Sequence, residues 1–114
     1  MTTPYEDGRR FAYRASMAFA RDGYEIIRSA GSKTKADFVA VKPGQLLFVQ
    51  VKKAVDGTIP PEERKLLCQL AGLLPGVAEA IVVHKRIPRG FAFRRLTGPG
   101  PKDWQPWTPD EVAP

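Results

Sequence analysis

The segment from Val39 to Lys52 does most to limit what this chain can fold into. Val39-Ala40-Val41 and Leu46 to Val51 are β-rich runs, and Lys42-Pro43-Gly44-Gln45 between them has the composition of a tight turn. A hairpin buries its apolar residues only in the register that keeps them on one face, because side chains alternate along each strand. With Pro43-Gly44 as a two-residue turn, Asp37 stands directly opposite Gln50. Gln50 and Lys52 share a face with Leu46 and Phe48. One carboxylate, one side-chain carbonyl and one ammonium then converge at the end of the hairpin. A hard divalent cation such as Mg2+ takes oxygen ligands of this kind, and an adjacent ammonium can stabilise charge on a phosphate. Taken singly, each residue has an ordinary explanation: Asp37 as a turn cap, Lys52 and Lys53 as edge-strand charges. Taken together in this frame, they favour a site for phosphodiester hydrolysis.

The stretch leading into the hairpin narrows the reading. Asp37 followed by Gln50-Val51-Lys52 resembles the PD-(D/E)XK nuclease superfamily. Gly23-Tyr24-Glu25-Ile26-Ile27-Arg28-Ser29-Ala30-Gly31-Ser32 is similar to the archaeal-type Holliday junction resolvases, including small phage-encoded members. The resemblance spans roughly residues 4 to 96. It implies a restriction-endonuclease-like α/β (equally α+β) fold. It also implies metal-dependent resolution of four-way DNA junctions, with Mg2+ (or Mn2+) held by Asp37, Gln50 and the Val51 backbone carbonyl. Lys52 would polarise the phosphate or position water, and Ser32 would lie beside the scissile phosphate. Arg28 would contact the DNA backbone. Two symmetric cuts imply a twofold homodimer.

One departure concerns a metal-binding Glu that the family carries on its first helix, about three turns before the Gly-Tyr. The corresponding position here is Ala12, which has no ligand atom. A clean Ala in an otherwise intact motif favours a deliberate Glu→Ala change over natural loss, and Glu6 lies too far upstream to replace the acid. With Gln50 also uncharged, Asp37 is the one anionic ligand of the motif. Such a chain should bind Mg2+ poorly and cleave very slowly. The alternative is a non-catalytic junction-binding module on a nuclease scaffold; a nicking or flap nuclease is a third reading.

The remaining sequence fits one nuclease-like domain over residues 1–97, with a Pro/Trp-rich tail over 98–114. Residues 5–22 have apolar positions at Phe11, Ala15, Ala18 and Phe19, the spacing of a helix that packs one stripe on a core; Asp22-Gly23 stops it. Arg9, Arg10 and Arg14 on its other faces, with Arg28, Lys33, Lys35 and Lys53, form a candidate phosphate track. Arg14 is best placed to flank the site. The net charge of +6 supports a polyanionic partner. Pro60-Pro61-Glu62-Glu63 starts a second helix, apolar around much of its circumference. That surplus reads first as packing against the sheet and second as a dimer contact. Cys68 reads as a small core residue. His84 reads as a strand-end residue rather than a general base. Lys85, Arg86, Arg89, Arg94 and Arg95 form a second basic cluster that either widens a DNA face or solubilises an edge. Strands are expected at 25–29, 37–42, 46–52, 80–85 and 91–96, about five in a mixed sheet flanked by two helices. Five prolines after residue 96 predict an irregular tail whose Trp104 and Trp107 fold back over an apolar patch. A single cysteine, no signal-peptide core and no apolar run near ~20 residues point to a cytoplasmic protein (the host cytoplasm for a phage product) with no membrane contact.

Overall fold

A computed structural model describes residues 4–28, 36–53, 56, 58–86 and 89–109. Two helices and six strands follow in the order α1 (Pro4–Arg21), β1 (Glu25–Arg28), β2 (Phe38–Lys42), β3 (Gln45–Lys52), α2 (Pro61–Gly72), β4 (Ala78–Lys85), β5 (Phe91–Leu96) and β6 (Trp104–Trp107). The strands form one sheet in sequence order. Every neighbouring pair is antiparallel except β3 and β4, which run parallel because α2 carries the chain back across the sheet.

The two helices lie on opposite faces, and the pleat sorts the core accordingly. On the α1 face, Ala15 and Phe19 pack with Phe38, Ala40, Leu47, Val49, Ile81, Val83 and Trp107. Leu67 of α2 packs on the other face with Ile59, Ala36, Ala80 and Val82, flanked by Phe48 and Leu96. Phe19, fully buried, is the centre of the first cluster; its ring meets those of Tyr24, Phe38, Phe93 and Trp107 at centroid distances of 5.5 to 5.9 Å. The helical stripe read from Phe11, Ala15 and Phe19 is thus the buried face of α1. Gly23, at a positive φ of 93°, ends the helix and turns the chain into β1.

Two expectations need correction. The sheet has six strands rather than five, because the tail is not irregular: Trp104–Trp107 pairs antiparallel with Phe93–Leu96. The Gly-Pro-rich segment makes this possible. Asp103 folds back over Gly98 and Gly100, accepting a 2.9 Å hydrogen bond from the Gly100 N–H. Any Cβ at Gly100 would stand 2.6 Å from its carboxylate. The prolines are tolerated because β6 is an edge strand with one unpaired side. Trp107 does fold over an apolar patch, stacked on Phe19. The second correction concerns α2, where Leu67 alone is fully buried. Leu66 on the helix and Leu73, Leu74 and Val77 in the turn that follows it remain exposed, Leu73 by 72%. The sheet therefore does not absorb the apolar surplus of this helix.

Candidate active site at the end of the hairpin

The hairpin register is the one that the turn chemistry predicts. Lys42 pairs with Gln45 and Phe38 with Val49, with Gly44 at a positive φ of 76° completing the turn. Asp37 continues the ladder by one position: its N–H donates to the Val49 carbonyl at 2.8 Å. Its carboxylate Oδ2 accepts the Val51 N–H at 2.7 Å, so a side chain replaces the backbone acceptor where the pairing ends. The capping role and the site role of Asp37 are thus compatible, since one oxygen fixes the rotamer and the other remains. Burial pushes this carboxyl above the usual carboxylate range. The Val51 N–H and Lys52 pull it back in part, and the charge of Glu63 adds to the rise.

Gln50 and Lys52 point to the α2 face, opposite the face that α1 covers. There both meet Glu63, in the first turn of α2. Gln50 Nε2 donates to Glu63 Oε1 at 3.3 Å, and Lys52 Nζ lies 3.0 Å from Oε1 and 3.3 Å from Oε2. Both side chains of the ion pair keep about a third of their surface open to solvent, 29% for Lys52 and 35% for Glu63. Asp37, Gln50, Lys52 and Glu63 therefore form one polar cluster at one end of the sheet, its oxygen donors beside a single ammonium. Sequence reasoning placed Glu63 only as a helix-start acid. Its spacing from Lys52 carries no motif. His84 pairs in register with Lys52 and is buried, with Nδ1 3.2 Å from the Lys85 carbonyl. It is a strand-end residue, as read, but one that flanks the cluster.

The basic residues divide. Arg9, Arg10 and Arg14 are exposed along α1, and Lys53 is exposed just past β3. Arg28 lies over the Tyr13 ring at 4.7 Å and donates to the Ser16 hydroxyl at 2.7 Å, which fixes its course along α1. Ser32, Lys33 and Lys35 lie outside the described residues. Ala12 is half-buried on α1. The second basic cluster is split by the sheet: Arg95 pairs with Glu79 at 3.0 Å, while Arg94 turns to the other face and stacks on Trp104 at 3.8 Å. Cys68 is half-buried, and burial pushes its thiol pKa up, so it stays protonated.

No family model and no curated protein sequence matches the chain. Among solved structures it is similar to the 1.6 Å resolution structure of Archaeoglobus fulgidus Hjc, a Holliday junction resolvase from an archaeal hyperthermophile. The TM-score is 0.61 and the identity 26%, over 76% of this chain and 70% of that one. The likeness to this group read from Gly23 to Lys52 thus extends to the three-dimensional fold, a mixed sheet with one helix on each face. Among the described residues no helix is long and apolar enough to cross a membrane.

Proposed function

We propose that this protein is a metal-dependent endonuclease that cuts branched DNA, with the four-way junction as its principal substrate. The observation that carries the reading is the meeting of Asp37, Gln50 and Lys52 at the end of the β2–β3 hairpin, on a fold shared with a junction resolvase. The cluster suits a hard divalent cation: it offers carboxylate and amide oxygens.

Mg2+ or Mn2+ would be held by Asp37, the Gln50 side-chain carbonyl and the Val51 backbone carbonyl. When bound, it supplies charge for the phosphate oxygens and lowers the pKa of an attacking water. Val51 N–H holds the Asp37 carboxylate in place, so no rotamer search precedes ligation. Lys52, whose ammonium is held 3.0 Å from the Glu63 carboxylate, would stabilise the charge that builds up on a phosphate bound beside Asp37. Arg28, oriented by Tyr13 and Ser16, grips the DNA backbone together with Arg9, Arg10, Arg14, Lys53, Lys33 and Lys35; Ser32 approaches the scissile phosphate. Contacts of this kind read phosphate position and junction shape rather than base edges. Paired cuts require two sites, and the exposed Leu66, Leu73, Leu74 and Val77 edge is the surface proposed to join a twofold homodimer.

Ala12 and Gln50 favour a second reading, a junction-binding module without cleavage, because both positions lack the acid of the resolvase pattern. Labelled four-way junction, flap and linear duplex incubated with Mg2+ or Mn2+ separate the readings. The nuclease reading expects paired symmetric nicks in the four-way junction, abolished by Lys52→Ala and increased by Ala12→Glu. Tight junction binding with no cut by any of these chains would replace it with the binding module, and preferential flap cleavage would change the substrate.

A further inference from the structure

We propose that Glu63 is the second metal-binding carboxylate of this site, standing in for the acid that position 50 lacks; the inference rests on the nuclease reading above. Gln50 and Glu63 touch through the amide Nε2 at 3.3 Å, so the carboxylate of Glu63 occupies the space just beyond the end of the Gln50 side chain. A Glu at position 50 would set two carboxylates against each other there, whereas Gln presents an N–H to Glu63 and leaves its carbonyl for the cation. The exchange conserves charge: a neutral residue on β3 with an acid on α2 carries the same single anion as an acid on β3 with a neutral residue on α2. Glu63 is also placed on a rigid element. It sits in the first turn of α2, where the helix dipole favours a carboxylate, and Pro61 at the helix start holds the local backbone.

The plain alternative is that Glu63 only neutralises Lys52. In that case the Glu63–Lys52 pair would be an ordinary surface ion pair, Glu63→Gln would weaken cation binding only by leaving the ammonium uncompensated, and Lys52→Met/Glu63→Gln would bind Mn2+ as well as Lys52→Met alone. The proposal differs in one measurable respect: Asp37 and Glu63 are both required to hold a divalent ion, and Gln50 and Glu63 are exchangeable as carriers of the charge.

Mn2+ is the probe, titrated into the full-length, metal-stripped protein without DNA, with free Mn2+ read by electron paramagnetic resonance. The expected result is one Mn2+ per chain, with affinity lowered about 10-fold or more in Glu63→Gln. Affinity should return in the charge-swapped double variant Gln50→Glu/Glu63→Gln and stay unchanged in Glu62→Gln, one position away on the exposed side. Circular dichroism melts show whether each variant is folded. Wild-type affinity in Glu63→Gln, alongside weakened binding in Asp37→Asn, would overturn the role of Glu63 and leave the nuclease reading intact. An absence of Mn2+ binding by the wild type, with no junction cleavage, would overturn both.

Discussion

Replacing Trp107 by Ala tests whether the last strand belongs to the folded core. Trp107 is 8% exposed, stacks on fully buried Phe19 at a centroid distance of 5.9 Å and meets Phe93 edge-on at 6.1 Å. Deleting a buried aromatic to Ala costs about 3–5 kcal/mol, from the forfeited transfer free energy and the cavity left behind. The lower end applies here, because β6 is an edge strand near the chain end and can relax into part of the void. At roughly 2.1 cal/mol/K per residue, the 114-residue chain has an unfolding entropy of about 0.24 kcal/mol/K near its midpoint, so ~3 kcal/mol lowers Tm by about 12 °C. Trp104→Ala is the internal control. That ring is half-buried and stacks with the Arg94 guanidinium, and its removal should cost about 1 kcal/mol, or ~4 °C. Thermal melts followed by near-ultraviolet circular dichroism report both, since the Phe19–Trp107 stack contributes to the aromatic signal. A Trp107→Ala protein melting within about 3 °C of the wild type, or Trp104→Ala proving the more damaging, would refute the view that β6 closes the core.

Two further outcomes are expected. Asp37→Asn should stabilise the metal-free fold at neutral pH while abolishing cleavage. The folded carboxyl titrates above its unfolded value, so its contribution is full below the unfolded pKa and lost as pH rises through the folded one. Asn keeps the acceptor for the Val51 N–H without the desolvated charge. Denaturation in chelator should show the gain at pH 7 and none below the unfolded aspartate pKa of about 3.9; a less stable variant at pH 7 sinks the argument. Arg14→Ala should weaken four-way-junction binding at low salt and reduce the slope of log affinity against log salt by about 1, because one fewer phosphate is neutralised. An unchanged slope removes Arg14 from the interface.

The hairpin and its register were legible because each determinant is local. Pro43-Gly44 sets a two-residue turn, and the alternation of Leu47, Val49 and Val51 with Phe48, Gln50 and Lys52 leaves one register that buries the apolar set. Helix α1 was legible for the same reason, since the spacing of Phe11, Ala15 and Phe19 is a property of the chain by itself. The tail was misjudged because five prolines and two close glycines argue against regular structure in isolation. Trp104–Trp107 becomes a strand only when β5 offers an edge and Asp103 closes the turn. The leucines of α2 misled in the opposite sense, because periodicity reports which residues are apolar and not how many of them the sheet has room to cover.

By itself, then, the sequence determined the Asp37–Gln50–Lys52 patch: strand pairing across a short turn is an interaction between near neighbours, and alternation decides the face. Only the tertiary structure decided that Glu63 joins it. That contact requires β3 to lead into α2 and α2 to lie back across the sheet, so its first turn stands over the end of the strand just left. No spacing rule between a strand and the following helix encodes such a meeting. It follows from the burial of Leu67 and Ile59 against Ala80 and Val82, which draws the helix down onto that face and brings its one inward acid to the two polar side chains there.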